Sequence, residues 1–219
     1  MSQPVRIGIY GASGSGKSTL ARHLIKSEKR LVVFDPALDW SKEFSKKRGW
    51  EVCHTIAAVR AALKKKWKTS FKIIFVPEGG NEIEDLDKLS GLILQAQGIY
   101  FKGVKNHPQI TFVVDEMNTC FPVSGLKSNF KQFGNVCSRG RHYGINTYGL
   151  TQRIAEVHTK WRGNCSAMYI LRLASARDRD TVQGEIGREY KNTIMSLQNF
   201  DFLLFEQASV VQGRVPKPK

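Results

Sequence analysis

The sequence predicts an α/β fold, with a mostly parallel central sheet flanked by helices on both faces. Three observations carry this. Short runs rich in β-branched and aromatic residues alternate with longer stretches of helical periodicity, as in successive β-α-β units. The run 110–114 (ITFVV) is apolar or β-branched at every position, the pattern of a central strand covered on both sides. A complete G-x-x-x-x-G-K-[ST] element, residues 11–18, separates the first apolar run from the first helical stretch.

Taken in order, strands are expected at 5–10, 31–34, 73–76, 110–114, 146–150, 168–173 and 202–205, with 208–215 as a terminal strand or hairpin arm. A helix follows the glycine element over 17–26. Ile56, Val59, Leu63 and Trp67 recur at i, i+3, i+7 and i+11, one stripe of a helix. Leu86, Leu89, Ile93 and Leu94 mark a second helix, begun near 81–84, and Phe130, Phe133, Val136 and Cys137 a third, ending near Gly140. A mixed-charge helix is expected over 175–190, interrupted at Gly184 and Gly187. With no repeat or low-complexity linker, residues 1–215 read as a single domain and 216–219 as a disordered basic tail.

Composition narrows the partners. Lys+Arg 34 against Asp+Glu 19 gives a formal net charge of +15, a field that attracts polyanions such as nucleic acid or an anionic membrane surface. The four cysteines (Cys53, Cys120, Cys137 and Cys165) form no C-x-x-C pair, which disfavours a zinc ribbon or a dithiol redox site and favours reduced, buried thiols. No apolar run approaches the ~18 residues needed to cross a bilayer, and the first residues lack the pattern of a secretory leader. The expectation is an intracellular protein with no integral membrane segment.

The glycine element carries the strongest chemistry. Gly11, Gly14 and Gly16 let the backbone wrap closely around a polyphosphate, with Ser13 and Ser15 between them, and successive N–H groups and the helix N-terminus face the anion. Lys17 adds a full positive charge against the β- and γ-phosphates, Ser18 offers a hydroxyl to Mg²⁺, and Thr19 is a weaker candidate for a phosphate contact. The expected ligands are therefore ATP and Mg²⁺.

The run 110–114 ends in Asp115-Glu116. Asp115 is expected to hold the metal through water, and Glu116 to orient and deprotonate an attacking water. Asp35, ahead of Pro36, also ends an apolar run but reads as a structural turn residue. Gln152, at the end of the 146–150 strand, has an amide able to donate to a γ-phosphate and accept from water. Arg139 and Arg141 have no acidic neighbour between Glu116 and Glu156. They suit a phosphate contact, on nucleic acid or on ATP held by a neighbouring subunit, or alternatively a solvated helix C-terminus. Basic clusters at Lys46-Lys47-Arg48, at Lys64-Lys65-Lys66 with Lys68, at Lys102 with Lys105 and at Lys127 with Lys131 are candidate DNA contacts, the last four residues the better ones.

GASGSGKST, ITFVVDE and SRGRHYGIN…LTQR, in that order, resemble the HerA/FtsK superfamily of P-loop ATPases over nearly the whole chain. They are most similar to the small genome-packaging ATPases of tailless viruses with an internal membrane. The resemblance implies a RecA-like (ASCE) core, a homo-oligomeric ring, usually a hexamer, and ATP-driven translocation of double-stranded DNA into a preformed capsid. It also implies Glu116 as catalytic base, Gln152 as sensor, and an arginine from the Arg139/Arg141 region reaching the next subunit. Docking to a capsid or membrane vertex, residence in the virion and synthesis in the host cytoplasm follow from the same likeness. Two other readings stand beside it. One is a P-loop kinase acting on a small molecule, and the other is a nucleotide-gated scaffold at the capsid vertex.

Overall fold

A computed structural model describes residues 3–104 and 107–216. Its framework is a sheet of nine strands: β1 (Arg6–Tyr10), β2 (Arg30–Phe34), β3 (Trp50–Cys53), β4 (Phe71–Phe75), β5 (Ile110–Val114), β6 (Ile145–Thr151), β7 (Ala167–Leu171), β8 (Asp201–Glu206) and β9 (Ser209–Arg214). Their spatial order is β3-β4-β2-β5-β6-β1-β7-β8-β9. The first seven are parallel, and β8 and β9 extend the sheet antiparallel beyond β7.

The helices are α1 (Lys17–Leu24), α2 (Asp39–Phe44), α3 (Ile56–Lys66), α4 (Glu82–Ala96), α5 (Gly98–Phe101), α6 (Met117–Cys120), α7 (Gln132–Arg139), α8 (Thr159–Arg162), α9 (Ala176–Ile186) and α10 (Lys191–Ser196). Alternation along the strands decides which face each one covers. Leu31 and Val33 of β2 and Val113 of β5 bury with Leu20 and Ala21 of α1 and Trp40 of α2. Val32, Phe34, Ile110, Phe112 and Val114 bury with α3, α4, α7 and Trp161 of α8 on the opposite face. That second face continues over β1, β7 and β8, where Tyr10, Ile170 and Leu203 meet Val182 and Ile186 of α9 and Ile194 of α10. Helices therefore cover both faces, as the sequence predicts.

The strand expectations hold to within about two residues, and β5 matches at both ends. Six elements go beyond the sequence expectations: β3 and the short helices α2, α5, α6, α8 and α10. β3 is a four-residue edge strand paired only with β4. α2 forms because Asp35, fully buried, accepts the N–H groups of Trp40 (3.2 Å) and Ser41 (2.7 Å) and so ties down its first turn. The expected 175–190 helix ends at Gly187, whose φ of 119° breaks it, whereas Gly184 lies inside it. The β8–β9 turn places Gln207 and Ala208 at φ of 50° and 61°, the twist a two-residue hairpin needs. All four cysteines are free thiols; burial pushes Cys165 up to about 12 and raises the other three as well. No helix among the described residues is long and apolar enough to cross a membrane. Residues 217–219 of the expected tail lie outside the described residues.

One glycine sets the spacing of the centre. A Cβ on Gly149 would collide with the Met117 sulfur and stand 2.6 Å from the Trp161 ring, so only glycine lets β6 lie against the residue that follows Glu116. Gly149→Ala is expected to cost about 1–3 kcal/mol by overpacking. Urea denaturation checks this, and an unchanged midpoint refutes it.

Candidate nucleotide-binding and hydrolytic site

The C-terminal ends of β1, β5 and β6 meet around a cleft of about 220 Å³ lined by Ser13, Gly14, Gly16, Lys17, Ser18, Thr19, Asp39, Asp115, Glu116, Gln152 and Phe200. That is below the roughly 300–1,000 Å³ of a site that engulfs a whole drug-sized ligand, so it suits a phosphate tail with the nucleoside left outside. Gly14 (φ 71°) and Gly16 (φ 105°) supply the left-handed turns of the loop. Gly11 and Ser15 lie beneath it. A Cβ on Gly11 would stand 2.6 Å from the Ser15 hydroxyl and 2.8 Å from Leu171. Ser15 is fully buried, with its hydroxyl unpartnered.

Lys17 is 8% exposed, and its Nζ donates to the Ala12 carbonyl at 3.2 Å. Burial lowers its pKa, and the carboxylates of Glu116, Asp115 and Asp39 act the other way. Asp115 is buried at the end of β5. Its Oδ2 accepts the Trp40 indole N–H (3.1 Å) and its Oδ1 the Glu116 N–H (3.0 Å). Burial, then the neighbouring Glu116 charge, pushes its carboxyl up to about 7. A divalent cation beside it would favour the ionised form. The Ser18 hydroxyl and the Asp115 and Asp39 carboxylates are hard oxygen donors, the chemistry Mg²⁺ prefers when phosphates complete its shell. These residues fit the expected metal.

Glu116 stands at φ 46°, ψ 52°, a left-handed conformation that costs a non-glycine residue about 1–2 kcal/mol. Its carbonyl accepts the Thr119 N–H (2.9 Å) and hydroxyl (2.8 Å), which hold the turn in place. Its Oε1 accepts the Gln152 amide at 2.8 Å. β6 lies between β1 and β5, so the strand separating the phosphate loop from the acidic pair delivers Gln152 to both. Phosphate loop, Asp115, Glu116 and Gln152 are thus brought together.

Arg139 and Arg141 are not. Both are exposed, at the end of α7 and in the turn before β6. They stand at the opposite end of the sheet from the cleft, since the seven residues of β6 span roughly 20 Å. Arg139 borders a hollow with Phe101 and Tyr143, whose rings stack at 4.6 Å. The lysine candidates also divide. Lys127 and Lys131 precede α7, toward the cleft end, whereas Lys102 follows α5 at the far end. Lys105 lies outside the described residues. Lys66 is tied to Glu51 at 2.6 Å and Lys47 to Glu43 at 3.2 Å.

Sequence reading missed four residues. Asp39 and Phe200 reach the cleft from α2 and from the β7–β8 connection. Arg172, at the end of β7, donates to the Ser13 carbonyl at 3.3 Å. Asp178, buried on α9, accepts the Arg153 guanidinium and the Ala155 N–H, each at 3.0 Å, and so anchors the segment after Gln152. Only the apolar run into Asp35-Pro36 hinted at any of them, by marking α2's approach.

Trp40→Phe removes the indole N–H from Asp115 together with part of a fully buried ring that stacks on Phe44 and lies under Arg22. The Mg²⁺ concentration that half-saturates binding of a non-hydrolysable ATP analogue is expected to rise about tenfold, as for other groups that orient a metal ligand. Calorimetric titration at several Mg²⁺ concentrations measures it, and an unchanged requirement refutes it.

No family model matches the chain, and no curated protein matches it in sequence. Solved structures do match in shape. The DNA-packaging ATPase B204 of Sulfolobus turreted icosahedral virus superposes with a TM-score of 0.74 at 16% identity, covering 99% of this chain and 100% of that one. The genome-packaging NTPase B204 of Sulfolobus turreted icosahedral virus 2, in complex with AMPPCP, gives 0.73 at 14% identity over 98% of this chain and 99% of that one. The bacterial conjugative coupling protein TrwB gives 0.65 at 10% identity over 99% of this chain and 85% of that one. The chain therefore has the RecA-like P-loop fold of a viral DNA-packaging ATPase and of a conjugative coupling protein.

Proposed function

We propose that this chain is an ATP-hydrolysing motor that translocates double-stranded DNA, and that it packages a viral genome into a preformed capsid. One observation carries the hydrolytic half. Glu116 is fixed by its backbone turn and by Gln152 in the cleft that the phosphate loop forms. The loop N–H groups and Lys17 hold the β- and γ-phosphates, and Ser18 and Asp115 would hold Mg²⁺, which would neutralise charge on them. Glu116 accepts a proton from the attacking water. The γ-phosphoryl passes to that water, and ADP and inorganic phosphate leave. The Gln152 amide has two N–H donors, one of them given to Glu116. The second can donate to a γ-phosphate, so the side chain links the base to the terminal phosphate and reports the nucleotide state.

The translocating half rests on charge and surface. A net charge of +15 suits a polyanion gripped through its phosphates without reading bases. Arg139 lines a hollow with exposed Phe101 and with Lys102, an apolar and cationic surface of the kind one subunit of a ring presents to the next. The similar viral structures are named as packaging ATPases, which supports the same reading here. A vertex-docked ring in the virion, probed by co-purification with capsid particles, completes the proposal.

Hydrolysis is the first test. Glu116→Gln is expected to lower turnover at least 100-fold while ATP still binds, the usual range for a lost general base. Steady-state phosphate release, with and without linear duplex DNA and across protein concentrations, measures it. Wild-type turnover in the variant refutes the hydrolytic assignment. An ATP-hydrolysing protein that fails to displace a third strand from triplex-marked DNA refutes translocation.

A further inference from the structure

The phosphate cleft has an aromatic ring at its mouth that the hydrolytic chemistry leaves unused. Phe200 is 40% exposed, lines the cleft, and lies against Gly16 so closely that a Cβ there would stand 2.8 Å from its Cδ1. Its backbone is left-handed, with φ at 71°, a conformation that a turn ordinarily fills with glycine or asparagine. The position is nevertheless held rigidly against the loop. The Phe200 N–H donates to the Ser15 carbonyl at 2.8 Å, and the Phe200 carbonyl accepts the Val215 N–H at 2.7 Å. The preceding Asn199 accepts the Arg172 Nε, and the same guanidinium donates to Ser13 at 3.3 Å. The turn is thus bolted to the phosphate loop at two points, with the ring left open to solvent.

We infer that the Phe200 ring is the stacking platform for the nucleobase of the bound nucleotide. The inference rests on the nucleotide reading above and adds to it where the base goes and how it is read. The cleft takes the phosphates, so the nucleoside leaves it past its mouth, where Phe200 is the aromatic side chain among the lining residues. The polar groups of the lining (Ser13, Ser18, Thr19, Asp39, Gln152) belong to the phosphate end. A π-face stacks on any base, so recognition is by ring area and not by a base-edge pattern. Purine nucleotides are expected to bind more tightly than pyrimidine nucleotides, with ATP and GTP close to each other.

Calorimetric titration of ATP, GTP, CTP and inorganic tripolyphosphate, each with Mg²⁺, into wild type, Phe200→Ala, Phe200→Leu and Phe200→Trp tests this. The alanine and leucine variants are expected to bind ATP about tenfold more weakly, in the range of one lost base–aromatic stack. Tripolyphosphate affinity should change less than twofold, and tryptophan should restore ATP binding with quenching of its own fluorescence. A leucine variant that binds ATP like wild type overturns the inference, as does equal weakening of ATP and tripolyphosphate, which marks a merely structural ring. If the alanine variant does not fold by thermal melting, the leucine and tryptophan pair decides. Lys17→Ala, expected to lose both ligands, separates the two levels. Wild type that binds neither ligand overturns the nucleotide reading itself.

Discussion

A lysine ammonium buried without a carboxylate in ion-pair contact is the constraint around which the site is organised. Lys17 is 8% exposed and touches a single carbonyl, while the acids that act on it from farther off (Glu116, Asp115, Asp39) do not close on it. Burying a charge on those terms is costly unless a counter-charge arrives. The loop around it offers backbone donors, and the cleft above has the size of a phosphate tail. A bound polyphosphate meets the lysine, the loop N–H groups and the dipole of α1 together, so the unpaired charge is stored affinity for one class of ligand.

The acids across the cleft are arranged by the same logic of withheld partners. Asp115 is tied on both oxygens, by Trp40 and by the Glu116 N–H, and lies too deep to swing. Glu116 is next in sequence, yet its left-handed backbone turns it out of the strand direction toward Gln152. Adjacent carboxylates thereby point apart, which on the proposed reading gives one to a metal and the other to water. Gly149 accommodates this from the neighbouring strand, because a Cβ there would overlap the Met117 sulfur and the Trp161 ring.

What the sequence disclosed was what is local. The loop from Gly11 to Ser18 and the run into Asp115-Glu116 are contiguous, and each carries its own backbone grammar, so they read directly. Gln152 was legible because strand periodicity placed it at the end of a strand. β3 escaped because Trp50-Glu51-Val52-Cys53 is a short edge strand whose only partner is β4. The β8–β9 turn escaped as a turn type because Gln207-Ala208 lacks the Asn-Gly or Asp-Gly pair that usually marks such a hairpin. Asp39 and Phe200 were invisible for another reason. Each reaches the cleft through a tertiary contact, Asp39 through the capping of α2 by Asp35 and Phe200 through the bond from its N–H to Ser15.

The disposition of the cations then bears on assembly. Phosphoryl transfer spreads negative charge over the γ-phosphate oxygens, and catalysis gains from every positive group that can approach them. Within this chain the arginines nearest the cleft are engaged. Arg153 is held by Asp178 and Glu156, Arg22 by Glu43, and Arg172 by Asn199 and Ser13. Freeing Arg153 would strand the buried Asp178 carboxylate, a cost that grows with its burial. Arg139 and Arg141 form no ion pair among the described residues, but the length of β6 stands between them and their own cleft, several times the reach of a side chain. On the proposed reading, service by either of them to a γ-phosphate would therefore require the cleft of another copy. If the chain assembles as proposed, stacking its far end against the cleft of a neighbour would bring that positive charge to the γ-phosphate and so link turnover to assembly through geometry.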